Sequence, residues 1–272
     1  MSPAEVKRPY GSFISIEGID GCGRATQAKE FLIPFLEERG LRVRYVPMPT
    51  GSIIGQAIRC LNEGRVLPEE YMRRLSHVLS DIAENEPIRR STFKAREINR
   101  EYCSLIGGVL AKLWQQTSLS RIDMQVLALA DMRLIMSEFV APALACGEWV
   151  IVDHYDLFNL AEGLMGDMPI EKTYGWHVAV LWESHIGPDL TLYIDVDPNT
   201  AMERLKKARL PHDGIQLRSL GDEYARVVFH MCEHHFRKVA VVDGNKSKEA
   251  VFRDIQKHVV KLRLPRARRI RA

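Results

Sequence analysis

Residues 13–27 read Phe-Ile-Ser-Ile-Glu-Gly-Ile-Asp-Gly-Cys-Gly-Arg-Ala-Thr-Gln. The stretch opens as an apolar strand, turns through Gly18, Gly21 and Gly23, and leaves as a helix from about Thr26. Glycines let backbone N–H groups converge on an anion, and a helix N-terminus adds free N–H groups and partial positive charge. The spacing fits G-x-x-x-x-G followed by a cation, which reads as a phosphate cradle. Two positions depart from that pattern: Arg24 stands for Lys, and Ala25 for Ser or Thr. Arg24 keeps a permanent charge on a bulkier fork. Ala25 has no hydroxyl for Mg²⁺; Thr26 has one, turned about 100° further around the helix. A Gly-rich turn that only joins strand to helix is the competing reading.

Four more short apolar runs read as strands, at 42–47, 149–153, 190–196 and 239–243, after the first at 12–17. Near-continuous Ile, Val, Leu and Tyr suits a parallel sheet covered on both faces. Helical patterns separate them, at 26–39, 122–145, 199–209, 224–238 and 248–262. Gly40 and Gly147 stand at natural helix ends, and Asp197-Pro198 is a good helix start. Pro34 predicts a kink or a lost hydrogen bond. Strands alternating with helices imply a doubly wound α/β fold. Residues 66–120 break the alternation, with apolar residues at helical spacing on either side of Pro87. They read as a helical insertion, and their alternating acids and bases as a solvated face. The chain therefore reads as a single domain over 1–272, with that insert and a basic tail at 257–272.

The 272 residues are 46% hydrophobic and 27% charged, ordinary globular composition. No apolar run approaches a membrane span, and the polar start, Met1 to Arg8, does not read as a signal peptide. Five scattered cysteines without a CxxC pair suit reduced thiols in the cytoplasm. The formal charge is +3, but residues 257–272 carry seven Lys/Arg and no acid, which leaves the body at −4. The tail has no aromatic interleaving for base stacking. It reads as a solvated end rather than a nucleic-acid contact, so total charge is no evidence for such a partner.

With its flanks included, the chain resembles the thymidylate kinase family. Residues 13–27 look like that family's opening strand and phosphate loop, apart from Arg24 and Ala25. Pro47-Met48-Pro49-Thr50-Gly51-Ser52, with Gly55, stands where the family has E-P-G-G-T-x-x-G. Leu129-Ala130-Asp131-Met132 parallels F-A-A-D-R, with Met132 replacing Arg. Ile151-Val152-Asp153-His154-Tyr155 matches the D-R-Y stretch, with His154 for Arg. Pro188-Asp189-Leu190 through Asp195-Val196-Asp197-Pro198 resembles the fourth strand, and Ala201-Met202-Glu203-Arg204-Leu205 the helix after it. Val242-Asp243-Gly244-Asn245-Lys246-Ser247 resembles the loop near the adenine.

The resemblance implies a P-loop NTPase fold, a five-stranded parallel sheet flanked by helices. It also implies transfer of the ATP γ-phosphate to dTMP or a related pyrimidine monophosphate, with Mg²⁺. Carried over, Gly18, Ile19, Asp20, Gly21, Cys22, Gly23, Arg24, Ala25 and Thr26 would hold the ATP phosphates, and Asn245 and Lys246 would lie near the adenine. Asp20, Pro49, Met132, His154 and Tyr155 would line the acceptor side. Thr26 and Asp153 would serve the metal. Arg24, Asp153, Arg209 and Arg218 would act on the transferring phosphoryl group, the last two from a basic lid after the fourth strand. The family's A-Y-Q is Ala161-Glu162-Gly163 here, and its Ser is Phe158. These departures keep a second reading open, a non-catalytic nucleotide-binding protein of the same fold. Family dimers form through helices, for which 126–144 would serve; core packing is the commoner use of such a stretch.

Overall fold

A computed structural model describes residues 11–84, 93–181, 187–210, 213–234 and 239–262. The N-terminal octet, the expected break at Pro87, the lid residues Pro211 and His212, and the tail from residue 263 lie outside the described residues.

Five strands form one parallel sheet: β1 (Phe13–Glu17), β2 (Val43–Pro47), β3 (Trp149–Asp153), β4 (Leu190–Asp195) and β5 (Val239–Asp243). Their order is β2-β3-β1-β4-β5, all pairs being parallel. The central strands β1 and β3 are buried at every residue, because helices cover both faces. Their side chains divide by alternation. Ile14, Ile16, Trp149 and Ile151 enter one core, while Phe13, Val150 and Val152 enter the other. The edge strands β2 and β5 are only partly buried.

The helices are α1 (24–37), α2 (Ile53–Asn62), α3 (Glu69–Glu84), α4 (Phe93–Trp114), α5 (121–145), α6 (Asp156–Met165), α7 (Ile170–Leu181), α8 (Pro198–Lys207), α9 (Gly214–His234) and α10 (Lys248–Val259). Helices α3 and α4 lie within residues 66–120. Their buried apolar residues join α2, α5 and the second core. The stretch 126–144, weighed as a dimer surface, is mostly buried in that core. Among the described residues no helix is long and apolar enough to cross a membrane.

Pro34 is accommodated in its helix by a definite route. Residues Gln27–Leu32 are π-helical, and Ile33 N–H reaches back to Ala28 rather than to its i−4 carbonyl. A proline has no N–H to give and crowds the carbonyl four residues back, so widening the preceding turn removes the conflict. The same device recurs in α5, where Met136–Val140 is π-helical just ahead of Pro142.

Caps match the sequence. Asp197 accepts from the N–H groups of Asn199 and Thr200, and Ser120 with Asp123 forms a full capping box. Gly40 and Gly147 end their helices at φ of 76° and 78°, where only glycine is unstrained.

The register places the site. Ile16 of β1 pairs with Asp153 of β3, and Pro47 of β2 pairs with the same Asp153. The three strands thus end level, and the loops after them leave from one edge. In an open α/β sheet that carboxyl edge is where ligands bind.

Candidate active site

The loop after β1 is a tight one. Gly18, Gly21 and Gly23 all have positive φ. A Cβ on Gly21 would run into the carbonyl of Ala201, so α8 packs directly against the turn. The first helical hydrogen bond of α1 runs from Gln27 N–H to the Gly23 carbonyl, 2.9 Å. The N–H groups of Arg24, Ala25 and Thr26 therefore precede the helical ladder and are the groups a helix start leaves for an anion.

Arg24 does not reach outward. Its side chain is only 10% exposed. Nε donates to Asp153 Oδ1 at 2.6 Å, and one terminal nitrogen donates to the Ile19 carbonyl at 2.8 Å and to that of Gly18. The other terminal nitrogen donates to Asp20 Oδ1 at 3.0 Å. Asp153 is closed on its second oxygen too, since Tyr45 Oη donates to Oδ2 at 2.5 Å. Burial would raise the Asp153 carboxyl, but Arg24 beside it and the bond from Tyr45 hold it below the usual aspartate value. Tyr45 comes from the edge strand β2 and carries no motif that marks it.

His154 lies beside this group in a left-handed conformation, φ 67°. It is buried, stacks on Phe158 with ring centroids 4.1 Å apart, and its Nε2 is 3.2 Å from the Gly18 carbonyl. A carbonyl only accepts, so this bond requires the tautomer with its proton on Nε2. Burial, and then the nearby Arg24 charge, lower the His154 pKa to about 4. The imidazole is therefore neutral at pH 7 and braces the loop from inside.

The remaining acceptor-side residues divide. Pro49 follows a cis Met48–Pro49 bond, and its carbonyl accepts from Arg59 at 2.7 Å. Asp131 of α5 fixes that loop: it accepts from Thr50 N–H at 2.8 Å, from Thr50 Oγ1 at 2.5 Å and from Ser52 Oγ at 2.6 Å. Met132 is buried, its sulfur 3.5 Å from Asn159 Nδ2. Tyr155 is also a core residue, its ring edge-on to Phe13. Asp20 is exposed at the lip of the loop.

On the opposite side, Asn245 Oδ1 accepts from Asp197 N–H at 3.0 Å, and Lys246 pairs with Asp254 at 2.9 Å. Arg209 is exposed just past α8 with φ 56°, and Arg218 donates to Asn199 Oδ1 at 3.1 Å. Among the described residues no hydrogen bond or ion pair joins either arginine to 18–26. The arginine that does touch the loop is Arg204. It donates to the carbonyls of Gly21 and Cys22 at 3.5 and 3.4 Å, and to that of Gly244 at 2.8 Å. It ties the phosphate turn to the loop after β5. Its place in the Ala201–Leu205 motif was the signal for it.

Glu17 is the other residue that motif reading missed. It is fully buried and accepts from the N–H groups of Tyr155 at 2.9 Å and Phe158 at 3.3 Å, and from Tyr224 Oη at 3.4 Å. It thereby anchors the start of α6 to β1. Burial, with the neighbouring Asp156, raises its pKa well above the usual carboxylate range.

A parallel sheet with a glycine-rich strand-to-helix turn, a cation in that turn and a carboxylate level with it defines a P-loop protein of the nucleotide-binding class. Comparison with known sequences narrows this. The thymidylate kinase family model matches residues 88–255. A thymidylate kinase of Shewanella frigidimarina is 31% identical over 92% of this chain and 93% of its own. Those of Nitrosospira multiformis and Fervidobacterium nodosum are 26% and 25% identical, over 92% and 90% of this chain and 97% and 96% of theirs. The chain belongs to the thymidylate kinase family.

Proposed function

We propose that this protein transfers the γ-phosphoryl group of ATP to dTMP, giving dTDP and ADP. The observation that carries the reading is the convergence of three loops at one sheet edge. These are 18–26 for the donor phosphates, 48–52 for the acceptor, and the end of β3 between them. Phosphoryl transfer asks mainly for positioning and charge stabilisation. The free N–H groups of Arg24, Ala25 and Thr26 receive the donor phosphates. Asp131 sets the 48–52 loop that shapes the acceptor side. Arg204 keeps the two ends of the donor site in register. Arg209 follows α8 and Arg218 lies on α9, and both would serve the transferring phosphoryl group from that side.

The family implies magnesium with ATP. The donor set of this chain does not match a metal held by the protein. Asp153 is bonded through both oxygens to Arg24 and Tyr45. Position 25 lacks a hydroxyl, and Thr26 is the single hydroxyl within 18–26. Among the described residues no group of three or more His, Cys, Asp or Glu is placed to hold an ion.

Purified protein incubated with ATP, MgCl₂ and separate nucleoside monophosphates tests the reading. The expected product is dTDP in preference to other diphosphates; no diphosphate from any of them overturns it. Asp131→Ala is expected to raise the KM for dTMP more than it lowers kcat, because Asp131 positions a loop and touches no reacting atom. Loss of its hydrogen bonds should also lower unfolding free energy by about 2 kcal/mol in urea denaturation.

A further inference from the structure

Arginine has five N–H donors in a rigid fork. Four of those on Arg24 are committed within the protein, to Asp153, Gly18, Ile19 and Asp20. Asp20 and Asp153 come from the phosphate loop and from the end of β3, and the guanidinium lies between them. Two carboxylates beside the phosphate loop would repel an anion bound there unless a cation stood between them. A divalent ion is the usual answer to such a pair. Here the place between the carboxylates is filled by a side chain whose charge cannot be lost. Arg204 adds a second positive charge on the Gly21 and Cys22 carbonyls, so the two arginines balance the two aspartates. His154 adds none, being neutral.

We propose that Arg24 is a resident cation that stands in for a divalent ion between Asp20 and Asp153, so that this loop binds nucleotide polyphosphate without a metal held by the protein. The inference rests on the donor-site reading of 18–26 given above. Arg24 acts here as a positioning and neutralising residue, and the two departures from the ordinary motif, Arg24 for lysine and Ala25 for the hydroxyl, have a common cause. A guanidinium that replaces the metal removes the need for the hydroxyl that would hold one.

Calorimetric titration of the full chain with ATP and with ADP, in EDTA and again in excess MgCl₂, tests this. For the wild type the two dissociation constants are expected to agree within about threefold. Removing one partner of a buried charge pair leaves the others exposed to the ligand. In Arg24→Ala, binding in EDTA should therefore weaken by about tenfold or more, with MgCl₂ restoring most of it. Arg24→Lys keeps the charge but not the fork that spans both carboxylates, so it should gain metal dependence as well and serves if the alanine variant does not fold. Mn²⁺ titrated into the nucleotide-free proteins and followed by its paramagnetic resonance should bind the variants more tightly than the wild type. A wild type that needs MgCl₂ by more than about threefold overturns the inference alone, leaving the donor site intact. Variants as indifferent to metal as the wild type overturn it too. No nucleotide binding in either buffer overturns the donor-site reading, and the inference falls with it.

Discussion

Asp153→Asn should lower the unfolding free energy by about 4 kcal/mol, the cost of leaving one partner of a buried ion pair uncompensated. The two side chains are 10% and 12% exposed, so water cannot replace the lost carboxylate. The amide offers one oxygen where Arg24 and Tyr45 each take one from the carboxylate. If the oxygen stays on Arg24, the amide N–H faces Tyr45, whose hydroxyl must turn from donating to accepting, and the guanidinium loses its buried counter-charge. Arg24 then keeps only the exposed Asp20 carboxylate and the Gly18 and Ile19 carbonyls, and the phosphate turn loses its charged tie to β3. Turnover should fall with stability. Urea denaturation of Asp153→Asn, Arg24→Met and the double variant reads the pair directly. The double variant should be less destabilised than the two single effects added, because the second change removes the stranded charge. A cost below about 1 kcal/mol for Asp153→Asn would mean the pair behaves as a surface bridge and does not organise the site.

The second large effect is on acid stability. His154 is neutral in the fold, its pKa lowered from 6.5 to about 4 by burial and by Arg24, against opposing pulls from Asp153 and Asp20. In the unfolded chain it takes up a proton near pH 6.5. Below that pH the unfolded state binds more protons, so stability is present above 6.5 and is lost as pH falls toward 4. The drop across that window is about 3 kcal/mol. Glu17 works in the opposite sense. Its raised pKa favours the folded state at low pH and costs stability as pH rises. Comparison with a variant therefore isolates His154. Asn tolerates a left-handed backbone and does not titrate. His154→Asn should therefore show a flatter stability–pH curve between 6.5 and 4, measured by denaturant titration at each pH. Parallel curves for the two proteins would refute a buried neutral His154.

Much of the fold was legible before any coordinates. All five strands lie within a residue or two of the apolar runs that mark them, since a strand buried on both faces must be apolar throughout. The glycines of 18–23 and the caps at Asp197, Gly40 and Gly147 were legible for the same kind of reason. Each answers a local backbone demand. The helical patterns at 66–120 were legible too, as apolar residues at helical spacing. Pro34 showed that its helix must adapt, but the widened turn ahead of it, shared with Pro142, is a choice among several local relaxations.

The site was legible in part. The residue types and their order pointed to the family, and the comparisons agree. What the chemistry of single positions left open was where the side chains point. Met132 and Tyr155 face the core, His154 faces the loop, and Arg204 and Tyr45 brace groups that no motif assigns to them.

Local sequence is therefore enough for the parallel sheet, the phosphate turn and the family, because hydrophobic continuity and glycine dihedrals act over a few residues. Only folding decides what Arg24 does. Its decisive partner, Asp153, lies 129 residues away along the chain, and Tyr45 reaches the same carboxylate from a third strand. The sequence shows an arginine where a lysine is usual. The register that levels β1, β2 and β3 turns it into a buried cation held between two carboxylates.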